Sequence, residues 1–459
     1  MAESDRPGTG EGSTKKGIRR AGPGRLVVGG FVGTSAIGTV LLLLPVSRAG
    51  DAGAGFMEAL FTSVSAVCVT GLIVVDTPVY WSGFGQAMIL LLIQVGGFGA
   101  MTFASLLGLL LYRRLGMRTR VTAAAETKTV GIGDVRTVVK NVAITSLQVE
   151  AVVATILTLR FWLAYGDRFT FGEAVWQGVF HAVSAFNNAG FSLFSDSLIG
   201  YVADPFIIVP VVVAVVLGGI GFPVILELRR RIAPRQWNLH VRLTLIGTGV
   251  LLVGGWIFFA VVEWGNQGTL GSLGLDGKLL GSLMQSAMPR TAGFNSVDTG
   301  AMSDEALLGT IVLMFIGGGS AGTAGGIKVT TAAILVVAVI TEVRGERDVT
   351  VFRRRVDDGT VRQAFTLFAL ASTVTIAASM LLMVFEEVRA LPLMFEAVSA
   401  FGTVGLSTGV TGGLDVRGEL LLVVLMLLGR IGPITAITAL ALRQTRRHYR
   451  YPEGRPIIG

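Results

Sequence analysis

Four segments of one pattern interrupt the hydrophobic sequence of this chain: Ser-Ala, a few residues, then Gly and a large apolar residue. They read SAVCVTGL (65–72), SAFNNAGF (184–191), SAMPRTAGF (286–294) and SAFGTVGL (399–406). Their glycines, Gly71, Gly190, Gly293 and Gly405, are separated by 119, 103 and 112 residues. A period of roughly 110 residues implies four diverged copies of one unit. In a membrane, four Gly-containing reentrant segments can surround one axis with backbone loops, which is how a cation selectivity filter is built.

Composition places the chain in the membrane. Of 459 residues, 52% are hydrophobic and 15% charged, with mean hydropathy +0.69. Soluble domains carry about 25% charged residues. The apolar runs reach the ~20 residues that span a bilayer. They are continuous rather than alternating, which excludes a transmembrane barrel. The single cysteine, Cys68, excludes an internal disulfide. The first 24 residues are polar and read as a disordered tail. The apolar run after them lacks a small-residue cleavage site and reads as a retained helix.

Each unit reads as helix, short pore segment, helix. The first helices are expected near 25–46, 138–164, 242–264 and 361–385, and the second near 84–112, 205–228, 305–341 and 418–442. Between them, pore segments start near Phe56, Glu173, Gly277 and Leu391. At about 12–15 residues they are too short to span, which is the reentrant class. The predicted fold is all-α: eight spans and four pore helices around one pore. Its units are 25–112, 113–228, 229–341 and 342–442, with tails at 1–24 and 443–459.

Eight spans put both termini on one side. Of the 38 Lys and Arg residues, 29 lie in the tails and between-unit loops, and seven in within-unit connections. The positive-inside rule makes the former cytoplasmic, so the pore segments enter from outside. The same rule accounts for the net charge of +8, which is no sign of nucleic acid. The acidic residues favour the outer side, 17 of 30, where they would concentrate cations.

A desolvated monovalent cation needs oxygens that bind it without trapping it, and backbone carbonyls do this. The candidate filter residues are Val69, Thr70 and Gly71; Asn188, Ala189 and Gly190; Thr291, Ala292 and Gly293; Thr403, Val404 and Gly405. The ligands would be main chain, so the flanking residues can vary while Gly supplies the turn. The competing reading of one such Gly is a helix-packing residue. Four matches, one per unit and each after a short amphipathic segment, favour the filter. The third copy holds one extra residue, near Pro289 and Arg290. Arg290 is expected to point behind the filter, to an acid or to backbone. Asn187 and Asn188 also fit as pore-helix C-caps.

The run 305–341 is too long for one span and contains GGGSAGTAGG. Gly317, Gly318, Gly319, Ser320, Ala321, Gly322, Thr323, Ala324, Gly325 and Gly326 should break the helix in mid-membrane. A dinucleotide site is excluded, because no strand precedes the run and apolar spans flank it. A gate beneath the filter fits better than a kinked packing helix. Lys328 and Arg430 fall inside apolar runs. A charge at that depth costs roughly 2.5–3.5 kcal/mol and marks a pathway or an internal pair. Arg430 is read as facing the cavity or the broken loop.

These residues resemble the Trk/Ktr/HKT superfamily of potassium transporters from about residue 25 onward. The specific parts are the four filter segments, IQVGGFGAMTF (93–103), GGIGFPV (218–224), GGGSAGTAGGIK (317–328) and GRIGP (429–433). Because only a polar tail precedes the first unit, the chain looks like the Ktr-type membrane subunit. The resemblance implies potassium uptake across the cell membrane, a homodimer, an intramembrane gating loop with Arg430 under the filter, and potassium preference from four filter glycines. It implies a cytosolic ring of nucleotide-binding regulators as a separate polypeptide, so no cofactor is expected in this chain, and the only metal is the K+ carried at the filter carbonyls. A sodium–potassium symporter with alternating access is the alternative, although such folds use two-fold repeats. A membrane-embedded hydrolase using Ser184 and His181 lacks an acidic partner, and no span has the regular arginines of a voltage sensor.

Overall fold

The computed structural model describes residues 23–50, 53–114, 135–230 and 233–442. The expected tail 443–459, and all but the last two residues of 1–24, lie outside the described residues. Helix predominates among the described residues, which also hold one small antiparallel hairpin, Thr350–Val351 with Arg354–Arg355. Each unit opens with a long apolar helix: Pro23–Leu42, Val135–Ala164, Leu239–Val262 and Asp358–Phe385. Short helices follow at Phe56–Cys68, Phe171–Phe186, Leu275–Ala287 and Ala390–Gly402.

Local sequence sets several of these starts. Thr170 and Glu173 form a reciprocal capping box at the second short helix. Asn238, Ser303 and Asp357 each accept a backbone N–H at the first turn of their helices.

The second helices differ from one another. Gly83–Arg114 and Val416–Leu442 are continuous. The run expected as one helix over 205–228 is instead two, Pro205–Ile220 and Phe222–Arg229, bent by 102°. Gly221, at φ +93, makes the corner. The run 305–341 is also two helices, Asp304–Phe315 and Val329–Val343, separated by the glycine-rich segment. By length and composition, four described helices can cross a membrane, or five with the bent pair counted as one span.

Packing closes the four units into a ring. Each short helix packs against the opening helix of its own unit, and in the first, second and fourth units against the second helix as well. The second helix of the first unit also touches the short helix of the second, and the second and third units repeat that contact one unit on. Val416–Leu442 then packs against Phe56–Cys68, which returns the order to its start. The short helices are the buried core: Phe61, Phe180, Met284 and Phe395 are inaccessible. The outer surface is apolar instead. Val261 is 74% exposed and Val384 78%, as a lipid-facing belt requires.

Candidate functional site

At the C-terminal ends of the short helices the four copies share one backbone conformation. Val69, Asn188, Thr291 and Thr403 all have positive φ, at 56°, 59°, 73° and 50°. Two residues later Gly71, Gly190, Gly293 and Gly405 do too, at 91°, 70°, 72° and 94°. A single L-residue in the left-handed region is uncommon, so four in register mark a built structure rather than chance turns.

The four triplets interlock in a circle. A Cβ placed on Gly71 would overlap the carbonyl oxygen of Ala189, and one on Gly405 would overlap that of Thr70. On Gly293 it would collide with Val404 O, and on Gly190 it would stand 2.9 Å from Ala292 O. The middle carbonyl of each copy therefore rests on the glycine of the copy before it, and the fourth copy meets the first. The glycines are required twice, for positive φ and for this approach. Beside the ring, the hydroxyls of Thr70, Thr291 and Thr403 are buried without a hydrogen-bond partner among the described residues.

The serine of the repeated motif holds the turn. Ser65 Oγ accepts from Gly71 N–H at 3.1 Å and donates to Leu72 O at 2.8 Å. Ser184 donates to Phe191 O at 2.8 Å, and Ser399 accepts from Gly405 N–H at 3.1 Å. The third copy departs. Its extra residue falls in the turn after Ala287, and Ser286 donates to Leu252 O instead, at 2.6 Å. Arg290 turns backwards and donates to Thr248 O at 3.0 Å and Thr248 Oγ1 at 3.1 Å, so its partner is backbone and hydroxyl rather than an acid.

Glycines of the second helices let the ring seat closely. A Cβ on Gly96, Gly218 or Gly429 would overlap the carbonyl oxygen of Val67, Phe186 or Phe401 respectively. Each of those carbonyls lies four residues before its ring glycine. This is the physical content of the glycine-rich motifs at 93–103, 218–224 and 429–433.

Nine residues before the ring glycine, the second and fourth copies carry a polar side chain that reaches across the turn. His181 Nε2 lies 3.0 Å from Ser192 Oγ, and its Nδ1 lies 2.8 Å from Gln177 O. Glu396 accepts from Ser407, from the Thr408 backbone and hydroxyl, and from Thr411 at 2.6 Å. Both side chains brace the segment after the ring. Because Ser184 bonds to Phe191 and His181 to Ser192, the pair needed by a hydrolase is not assembled.

The glycine-rich segment docks against the ring. Gly319 N–H donates to Gly219 O at 2.7 Å, Thr323 N–H to Gly218 O at 3.2 Å, and Phe222 N–H to Ala321 O at 3.1 Å. The corner at Gly221 thus supplies the polar groups that the broken helix leaves unpaired. Its small residues are needed for contact: a Cβ on Gly322 would stand 2.8 Å from Gly219 O, and one on Gly325 2.8 Å from Gly402 O. Gly317 faces Thr291 and Gly325 faces Thr403. The Thr323 hydroxyl is 2.9 Å from the side-chain amide of Asn188.

Two cations hold the segment. Arg430 Nη1 donates to Thr323 O, while Nε and Nη2 are buried without partners among the described residues. Lys328 Nζ donates to Ala324 O at 2.6 Å and Gly325 O at 3.3 Å. The four glycine triplets and the glycine-rich segment therefore lie against one another.

One cluster was not anticipated. Glu150 lies in mid-helix and is 5% exposed. It accepts from Gln94 Nε2 at 3.1 and 3.0 Å, and from Asn187 Nδ2 at 3.2 Å. The signal was available: an acid inside the apolar run 138–164.

Comparison with known proteins gives the following. The model of the TrkH family, described as cation transport protein, matches residues 30–448. The Ktr system potassium uptake protein B of Bacillus subtilis is 38% identical over 444 residues, covering 97% of this chain and 98% of that protein. Its counterpart in Vibrio alginolyticus is 37% identical, covering 97% of each. The potassium/sodium uptake protein NtpJ of Enterococcus hirae is 34% identical, covering 97% of this chain and 99% of that protein. Among solved structures, the potassium transporter TrkH of Vibrio parahaemolyticus superposes with a TM-score of 0.72 at 18% identity, covering 95% of this chain and 87% of that one.

Proposed function

This chain belongs to the TrkH family of cation transport proteins, and from that premise we propose that it carries potassium into the cell through the ring of four glycine turns. The observation that carries the reading is the circular interlock, in which each middle carbonyl rests on the glycine of the preceding copy. A closed ring of backbone turns offers carbonyl oxygens in place of a hydration shell without the deep trap of a carboxylate. The names of the relatives from Bacillus and Vibrio, potassium uptake proteins, supply the ion. The protein acts as a transporter and not as an enzyme.

In the same proposal, residues 317–326 are the gate. The segment packs on Asn188, Thr291 and Thr403 from the side of the second helices, and Arg430 clasps it at Thr323 O. Opening requires the Arg430 contact and the backbone bonds to Gly218 and Gly219 to give way. The protein would sit in the cell membrane as a homodimer with both termini cytoplasmic. A ring of separate nucleotide-binding subunits would control the gate from below.

The test is rubidium flux into proteoliposomes, with and without a purified regulatory ring, in potassium and in sodium. Rubidium entry blocked by potassium and not by sodium supports the proposal. A second reading, sodium-coupled uptake, is favoured by the name of the Enterococcus relative. It would require rubidium entry to depend on a sodium gradient in the same vesicles.

A further inference from the structure

The carboxylate of Glu150 makes no hydrogen bond to the ring triplets or to the glycine-rich segment. It sits midway along Val135–Ala164 and is 5% exposed. Among the described residues its partners are amides only: Gln94 Nε2 at 3.1 and 3.0 Å, and Asn187 Nδ2 at 3.2 Å. No basic side chain among the described residues pairs with it. Near the outer end of the same helix, by contrast, Arg160 pairs with Asp204 at 2.7 Å. A buried carboxylate served by neutral donors alone leaves much of its desolvation cost of several kcal/mol unanswered. An ionisable group in mid-membrane is a functional candidate for that reason.

Its position says what answers the cost. Asn187 is the C-cap of the second pore helix and directly precedes Asn188, the first residue of the second filter triplet, at φ 59. The Asn187 amide is held by Gln94 Oε1 at 2.8 Å and Val183 O at 2.9 Å as well as by Glu150. Gly97 leaves room for its oxygen, since a Cβ there would overlap Asn187 Oδ1. An acid in the span is thus linked through one amide to the residue that enters the ring.

We propose that Glu150 is a positioning residue for cation binding: through Gln94 and Asn187 it fixes the turn at Asn188, and its negative charge favours a cation in the adjoining part of the ring. The proposal rests on the filter reading above. The attraction runs both ways, because low dielectric strengthens it and linkage makes it reciprocal. Glu150→Gln keeps the shape and removes the charge.

The experiment is rubidium uptake by the full-length protein in proteoliposomes, with sodium as competitor. Glu150→Gln should raise the half-saturating rubidium concentration about tenfold, equal to about 1.4 kcal/mol. It should weaken discrimination against sodium while the maximal rate changes less. A merely structural role would lower the amount of folded protein and leave half-saturation alone. Asn187→Ala, which cuts the link, should reproduce the rise. Unchanged half-saturation in a folded Glu150→Gln protein overturns the proposal. So does a normal value for Asn187→Ala where Glu150→Gln is not recovered, or loss of both from the membrane. Gly405→Ser is measured alongside: if it alters selectivity and Glu150→Gln does not, only this inference falls. If neither does, and substitutions at the other three ring glycines are equally without effect, the filter reading falls with it.

Discussion

Substituting the four ring glycines one at a time should produce a graded loss of selectivity whose order follows from the geometry. Two costs act on any side chain there. An L-residue in the left-handed region pays roughly 1–2 kcal/mol. The second cost is displacement of the neighbouring carbonyl. At Gly190, with φ 70, a Cβ would stand 2.9 Å from both Ala292 O and the Gly293 Cα, so a shift of a few tenths of an ångström restores normal contact. At Gly293, φ is 72 but the Cβ collides with Val404 O. At Gly71 and Gly405, φ is 91 and 94, and the Cβ overlaps Ala189 O and Thr70 O. Those two suffer both penalties in full. Each carbonyl that moves is one that would replace water around the ion, and about 1.4 kcal/mol of lost preference is tenfold. Gly71→Ser and Gly405→Ser should therefore reduce potassium over sodium preference by about tenfold or more. Gly293→Ser should fall between, and Gly190→Ser should cost a factor of about three, which is well under 1 kcal/mol. The assay is sodium competition against rubidium uptake in proteoliposomes, normalised to inserted protein. Unchanged ratios at all four positions, or Gly190→Ser as the most severe, would refute the interlocked ring as the filter.

Deleting residues 319–324 removes the backbone bonds to Gly219 and Gly218, and Arg430→Ala removes the clasp on Thr323 O. Both should raise rubidium flux and weaken control by a regulatory ring; variants that conduct no faster would make the loop packing. Ser399→Ala should alter selectivity through a lost hydrogen bond of about 1 kcal/mol, whereas Ser286→Ala, whose hydroxyl bonds Leu252 O, should not. Equal effects in competition assays would dismiss the serine bracket. Gly218→Ala and Gly429→Ala place a methyl against the carbonyls of Phe186 and Phe401, and should destabilise by about 1–3 kcal/mol. Thermal unfolding in detergent, with no drop in midpoint, would contradict the close seating.

The sequence by itself determined the membrane setting and the place of each short helix, because these are written in short stretches. A 13-residue apolar helix such as Phe56–Cys68, a cap at Thr170 and a glycine after each Ser-Ala are local signals that need no partner to be read. The expected starts near Phe56, Glu173, Gly277 and Leu391 accordingly lie within two residues of the observed ones. What only the tertiary structure decided involves groups far apart in the chain. Thr323 meets Asn188 across 135 positions, and Arg430 meets Thr323 across 107. The bend of 102° at Gly221 was invisible, since GGIGFPV is as apolar as a straight span. It exists because the glycine-rich segment of another unit satisfies the opened backbone. Glu150 was equally illegible as a neighbour of the ring. A buried carboxylate is defined by what surrounds it, and Gln94 and Asn187 reach it only once the ring has closed.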